Sequence, residues 1–499
     1  MPLLADSDAA RLVIDPATLW LLGVVLVGYA LVLLAISLYA ARKVGSEADY
    51  IVAGRRLPLW LVSGTLVATW FDAATMFAAS GAAREKGLLG VTLNPFAAAG
   101  ALVLAGVFFA RPMWKMEIST MADFYRVKYG PVAETVGACI QVPAYFSWVA
   151  LQYTALANIL ELYFGLPQAT GIVLVAAITL GYTLFGGLWS VTLTDVVQIV
   201  IGLLGLVVLT ATALSDQRLG DGDPLRGLVA VYGKIATTHP DHLRLVPTLT
   251  SPAVVLGWLA AWATGLFGNI PAQDLQQRVF ASQSSTTAMR ACILAGLLYL
   301  AFAMLPVTLG MASLVTHPKG LLDPVGFLAG EYLSTGMLVV FVVSMTSIVI
   351  SSATSALLAP ATILGHNLFA RVPLVARRPL LRERLSVVLV SLGSVGVAMW
   401  GKSLMELLDV SLSIQLAALF VPVVMGIYGR PRGQLPAVLS MLLGFGAWLT
   451  FYAIEHLAGV LPAGVYAAVT PVPAALWGLG FAILGYALGQ LRPRASGIA

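Results

Sequence analysis

Apolar runs of roughly 18 to 30 residues recur along the whole chain, each long enough to cross a bilayer as a helix. They predict about thirteen helices, near 17–41, 58–83, 88–110, 131–164, 167–185, 190–214, 252–274, 291–315, 336–367, 385–401, 404–428, 434–455 and 470–490. The run from 337 to 368 is unusual inside. At 100° per residue, Ser344, Ser347, Ser351, Thr354 and Ser355 share one face, with Ser352 at its edge. Hydroxyls are costly in hydrocarbon unless they pair, so this stripe must face protein, water or a ligand. Two readings stand: a small-residue packing face, and a cation site built from hydroxyl and carbonyl oxygens.

Two further runs break the apolar pattern. The second places Gly64, Thr65, Thr69 and Asp72 at membrane depth, and the seventh carries Gly265, Gly268, Asn269, Pro271 and Asp274. Glycine, proline and asparagine interrupt a helical ladder. These segments open two successive groups of five helices, 58–214 and 252–428. Interrupted helices at matching positions in two halves point to a secondary transporter with sites at the breaks. The expected fold is an all-α membrane protein with a five-plus-five inverted-repeat core and broken first helices. An outer segment with one helix (1–41) would precede it, and two helices with an inner tail (434–499) would follow.

Composition agrees: the chain is 59% hydrophobic and only 10% charged over 499 residues, more apolar surface than a soluble core can hide. The first run is too long for a signal-peptide core and is preceded by Asp6, Asp8, Arg11 and Asp15 where a basic stretch would stand. Of the 28 lysines and arginines, nineteen fall in segments that would be inside if the N-terminus is outside, and nine in outer segments. That asymmetry orients the chain N-outside and C-inside in an inner (cytoplasmic) membrane. The net charge of +5 is thus lipid-side patterning, not a nucleic-acid footprint. The arginines at 371–384 read as an anchor near anionic lipid, and the segments 111–130, 215–251 and 368–384 as loops. Cys139 and Cys292 lie in apolar runs, so no disulfide framework is expected, and His239 and His242 read as a surface pair. Neither a bound cofactor nor an oligomeric state is written in any of these patterns.

Asp195 is an intramembrane carboxylate, whose natural partner is a cation. It is open to three uses: ion ligand, proton-coupling group, or hydrogen-bonded structural acid. Asp72 lies at the break beside Trp70, and Trp148, Tyr153, Trp258 and Trp262 sit at depths where they can line a cavity. A carboxylate with aromatic faces suits an ammonium group. Asp72 is also open to binding an ion directly, or to staying protonated. Thr75, Gln152, Gln273, Ser411, Ser413 and Gln415 are further cavity candidates, and Asp274 with Arg278 reads as a gate pair.

Three stretches resemble the sodium:solute symporter family: Gly186 to Gln198, similar to its GG-x-x-x-V-x-x-T-D-x-x-Q run; Asp49 to Arg55; and Gln273 to Arg278. Phe108 to Met113 with Thr120 and Met121, and Ala68 to Trp70, are similar to choline-transporter-like members, while Ala272 stands where those members carry another aromatic. The resemblance implies a sodium site formed by the carbonyls of Ala68, Phe71 and Ile348 and the hydroxyls of Ser351 and Ser352. It also implies a second ion or proton site around Asp195, Ser352, Thr354 and Ser355.

The expected function is sodium-coupled import of a small organic solute by alternating access, Na+ being the coupling ion and no other cofactor being called for. A cationic or zwitterionic amine (choline, betaine or amino-acid type) is expected, with Trp70, Asp72, Thr75, Trp148, Gln152, Trp262, Gln273 and Gln415 lining its site. The alternatives are symport of a monocarboxylate or other organic anion, and an ion channel, for which no filter or continuous polar pore is visible. No paired acids, H-E-x-x-H run or nucleophile–base pair at one depth is present, so an enzyme is not expected.

Overall fold

The computed structural model describes residues 16–42, 44–317, 321, 323–456 and 469–491. The expected outer segment 1–15 and inner tail 492–499 lie outside the described residues, as do Lys43 and Lys319. The described chain is helical from end to end, its one β-bridge being Leu57 with Ser282. In order, the long helices are α1 (Pro16–Ala41), α2 (Leu59–Trp70), α3 (Ala74–Leu89), α4 (Thr92–Trp114), α5 (Pro131–Phe164), α6 (Gln168–Leu214), α7 (Pro252–Phe267), α8 (Gln273–Ala281), α9 (Ser285–Thr316), α10 (Thr335–Ile363), α11 (Pro379–Ala398), α12 (Leu404–Tyr428), α13 (Leu435–His456) and α14 (Ala474–Gln490). Among the described residues, seven helices are long and apolar enough to cross a membrane, or eight counting α2 with α3 as one bent span. That measure does not reach the expected thirteen, for a physical reason: interior spans are shortened by breaks or carry polar side chains.

Both expected breaks are present. Helix α2 ends at Trp70, and α3 leaves it at 59°. The Asp72 carboxylate accepts from the Thr75 backbone N–H at 3.0 Å and so caps the second half. In the other repeat, Gly268 to Ala272 form a turn between α7 and α8. Its freed carbonyls are met by amides: Gln276 Nε2 donates to Ile270 O (2.8 Å) and Gln141 Nε2 to Pro271 O (2.7 Å). Irregular backbone survives at this depth because protein groups satisfy it. The seventh helix was expected to end near 274; the break instead hands over to α8, which runs on to Ala281.

The two halves meet around α10, which packs on α6, α5, α2 and α8. Its hydroxyl stripe divides by turn. Ser344 bonds its own helix at Val340 O, and Ser347 meets Tyr29 Oη at 2.5 Å and Gln198 O at 3.4 Å, while a Cβ at Gly202 of α6 would stand 2.1 Å from Ile348. These turns are a packing face. Ser351, Ser352 and Ser355 belong to a polar core.

The polar segments expected as loops contain helices. Thr120 and Asp123 form a capping box that starts Met121–Lys128, and Asp223 caps Pro224–Thr238. Part of the arginine cluster binds protein: Arg371 pairs with Glu134 (2.5 Å) and Arg382 with Glu47 (2.6 Å). Glu47 also meets His366 at 2.5 Å. Arg377, Arg378 and Arg384 are exposed. Both cysteines are free. His239 is exposed and its ring lies 5.3 Å from that of His242, with no third metal-ligating group beside them among the described residues.

Gly187 joins the two halves of α6 at φ 51°, ψ −147°, and a Cβ there would meet Tyr50 O at 2.5 Å. Gly187→Ala should therefore cost about 1–3 kcal/mol, seen as a lowered melting temperature of the purified protein. Gly28→Ala on α1, where a Cβ has open space, should be neutral or slightly stabilising in the same assay.

Candidate functional site

The end of α2 leaves carbonyls without helical partners, and α10 brings hydroxyls to them. Ser352 Oγ lies 3.1 Å from Ala68 O, 3.5 Å from Phe71 O and 3.3 Å from Ile348 O. Four of the five oxygens expected around the sodium ion thus gather at one point, fully buried. The fifth, Ser351 Oγ, turns the other way and donates to Asp195 Oδ1 at 2.5 Å.

Asp195 is surrounded differently from the expected second ion site. Its other oxygen accepts from the Thr65 hydroxyl and lies 3.6 Å from an Arg278 guanidinium nitrogen, both side chains of that pair being fully buried. Arg278 also donates to Thr65 Oγ1 (3.2 Å), Ser355 Oγ (2.6 Å) and Asp274 O (3.0 Å). Thr354 spends its hydroxyl on Ser351 O at 2.8 Å within its own helix. The cation beside Asp195 is the protein's own. Arg278 touches only the backbone of Asp274, so the expected gate pair gives way to an Arg278–Asp195 pair.

Beside the break lies a chamber of about 40 Å³ lined by Trp70, Asp72, Asn94, Ala98, Tyr145, Trp148, Asn269, Ala272, Asp274, Tyr299, Leu408, Ser411, Leu412 and Gln415. Asp72 accepts from Trp148 Nε1 and Gln152 Nε2, each at 2.9 Å, besides Thr75. Asp274 accepts from Trp70 Nε1 at 2.8 Å and Tyr145 Oη at 2.6 Å. The indole donors are thus spent on carboxylates, leaving ring surface toward the chamber. Of the residues expected to line a solute site, Trp70, Asp72, Trp148 and Gln415 are brought together here. Thr75 and Gln152 stand behind Asp72 as its donors. Gln273 turns away to accept from the Met121 N–H at 2.7 Å. Trp262 packs against Trp258 with ring centroids 6.4 Å apart and is no part of the chamber wall. Tyr153 meets Ser391 at 3.0 Å.

Sequence reasoning missed Tyr145, Tyr299, Asn94 and Asn269. Tyr145 was legible in principle, three residues before Trp148 on one helix face. Tyr299 and Asn94 come from distant spans and are linked at 2.6 Å; nothing local marks them.

A second cavity, of about 1000 Å³, lies against the opposite face of α12 (Glu406, Asp409, Ser413), with Glu85, Glu161, Asp323 and Glu455 also in its wall and Lys86 among them. Such an acidic wall raises the local concentration of cations.

A family model described as "Sodium:solute symporter family" matches residues 50–444. The high affinity choline transporter 1 of Homo sapiens is 30% identical over 315 residues, covering 60% of this chain and 52% of its own. That of Drosophila melanogaster is 30% identical over 302 residues, covering 59% and 46%. The sodium/glucose cotransporter of Vibrio parahaemolyticus is 25% identical over 372 residues, covering 68% and 67%. The match thus spans about half the length of those choline transporters. Among solved structures, a Na+-coupled sialic acid symporter in a substrate-bound outward-open state is similar at TM-score 0.75 and 18% identity, covering 96% of this chain and 99% of its own. A nucleobase–cation symporter in a closed conformation is similar at TM-score 0.55 and 16% identity, covering 90% and 95%. At such identities the likeness speaks for the five-plus-five fold.

The buried pair makes a stability prediction. Removing one partner leaves an uncompensated charge, which costs about 3–5 kcal/mol. Arg278→Gln should lower the melting temperature of the purified protein well below that of the Asp195→Asn/Arg278→Gln double variant. Equal melting of the two would mean the pair carries no coupling.

Proposed function

We propose that this chain, which belongs to the sodium:solute symporter family, couples sodium entry to import of a small organic amine by alternating access. The observation that carries the reading is the convergence of Ala68 O, Phe71 O and Ile348 O on Ser352 Oγ across the break of α2. Carbonyl and hydroxyl oxygens are the ligands a hard monovalent cation prefers, and half-helix ends are where such transporters gather them. Sodium would replace the Ser352 hydrogen bonds, and Ser351 would complete the set by swinging from Asp195.

The bound ion would hold the α2–α3 break against α10. Asp72 follows Phe71 directly, so the ion would steady the chamber wall at the same time. Coupling follows by linkage: sodium tightens solute binding and solute tightens sodium binding equally. The compensation of Asp195 by Arg278 favours one sodium per cycle over two. A second ion, or a proton, at Asp195 would first have to release that guanidinium.

Two carboxylates in the chamber and an acidic second cavity favour a cationic solute over an organic anion. We take 58–214 and 252–428 as the two repeats. We also take the chain as a multi-pass protein of the cytoplasmic membrane, N-terminus outside and C-terminus inside, so that the acidic cavity opens outward.

Ser352→Ala should weaken binding of 22Na+ to the purified protein at least about tenfold, the loss of one charged-group contact, and Ser351→Ala with Ser352→Ala should abolish it while leaving the fold intact by circular dichroism. Wild-type 22Na+ titrations in both variants would place the ion elsewhere.

A further inference from the structure

The charged side chains in the chamber wall, Asp72 and Asp274, are both acceptors. Its indole and phenol donors are spent within the wall: Trp70 and Tyr145 on Asp274, Trp148 on Asp72, Tyr299 on Asn94. The amide of Asn269 donates to Gly265 O, and that of Gln415 to Ser411 O. Each of these amides keeps a second N–H and Ser411 its hydroxyl, but the charged capacity left in the wall is all acceptor. Gln415 Oε1 has no partner although the residue is 2% exposed. Asp274 receives one donor on each oxygen, whereas a carboxylate accepts about four. Asp72, with Trp148, Gln152 and both donors of Thr75 around it, is nearly full. Among the described residues, no lysine, arginine or histidine stands in the chamber wall.

Charge points the same way. Asp195 is balanced by Arg278, but Asp72 and Asp274 have no cationic partner in the chamber. Uncompensated charge is expensive at membrane depth. One sodium ion and one singly charged solute bring this core to neutrality; a zwitterion does not.

We propose that the chamber selects a singly charged organic cation bearing N–H donors, such as a protonated amine or a guanidinium, anchored on Asp274 and Gln415 Oε1. Asp274 is then the direct anchor and Asp72 the second charge. This rests on reading the chamber as the solute site of the symporter. A quaternary ammonium has no N–H to satisfy the open acceptors, and a carboxylate-bearing solute meets no cation. Ala272 brings only a methyl group to the wall, no aromatic face for a methylated head group.

The test is isothermal titration of the purified full chain with ethanolamine, choline, glycine betaine and propionate, in sodium and in potassium. Ethanolamine and choline share a skeleton and differ in N–H against N–CH3. Ethanolamine should bind at least about tenfold tighter than choline, one charge-assisted hydrogen bond's worth, and the two carboxylates should bind weaker still. Asp274→Asn and, as a charge-neutral second variant, Gln415→Leu should each weaken ethanolamine about tenfold or more, and Gln415→Leu should narrow the gap between ethanolamine and choline. Choline or betaine binding as tightly as ethanolamine, or no amine binding at all, overturns the inference. Ethanolamine selectivity that is indifferent to sodium would instead sustain the inference and remove the coupling.

Discussion

A helix broken inside a bilayer must find partners for its freed backbone groups within the protein, and this requirement organises the molecule. At the first break the partner is Ser352, reaching from α10 to Ala68 and Phe71. At the second it is a pair of glutamines, Gln276 and Gln141. The difference is one of chemistry. An amide satisfies a carbonyl permanently, whereas a hydroxyl can exchange that bond for coordination of an ion.

The same economy governs charge. Four ionisable groups gather where the halves meet, and Arg278 is committed to Asp195 by geometry that also engages Thr65 and Ser355. Asp72 and Asp274 are left to indole, phenol and amide donors, which solvate a carboxylate without cancelling it. A core assembled this way has a deficit of positive charge. The large cavity beyond α12 is walled by further carboxylates, and such a wall attracts cations.

The hydroxyl face of α10 shows how one helix serves two purposes. Over Ser344 and Ser347 it lies close against the glycines of α6, where small residues let backbones approach. One turn later the same residue type faces the break. The packing reading holds over the earlier turns, and the cation reading rests on the turn of Ser352.

The pattern of apolar runs was enough to establish membrane spans, and Gly-Pro-Asn and carboxylate interruptions were enough to locate both breaks, because backbone breaking is a local event. The oxygens that the family resemblance implies around an ion come together for a related reason: 68 with 71 and 348 with 352 are each one turn apart, and the break brings the two turns within reach. Partner choice was not legible. Arg278 had Asp274 four residues away and took Asp195 from another span, and Tyr299 and Asn94 reached the chamber from helices with no local mark. Trp262 and Gln273 looked like cavity residues by depth alone and turned to other neighbours. Depth and spacing follow from helical geometry along the chain. Which of several equally deep groups face each other depends on how the helices pack, and packing is fixed by contacts between residues far apart in the sequence.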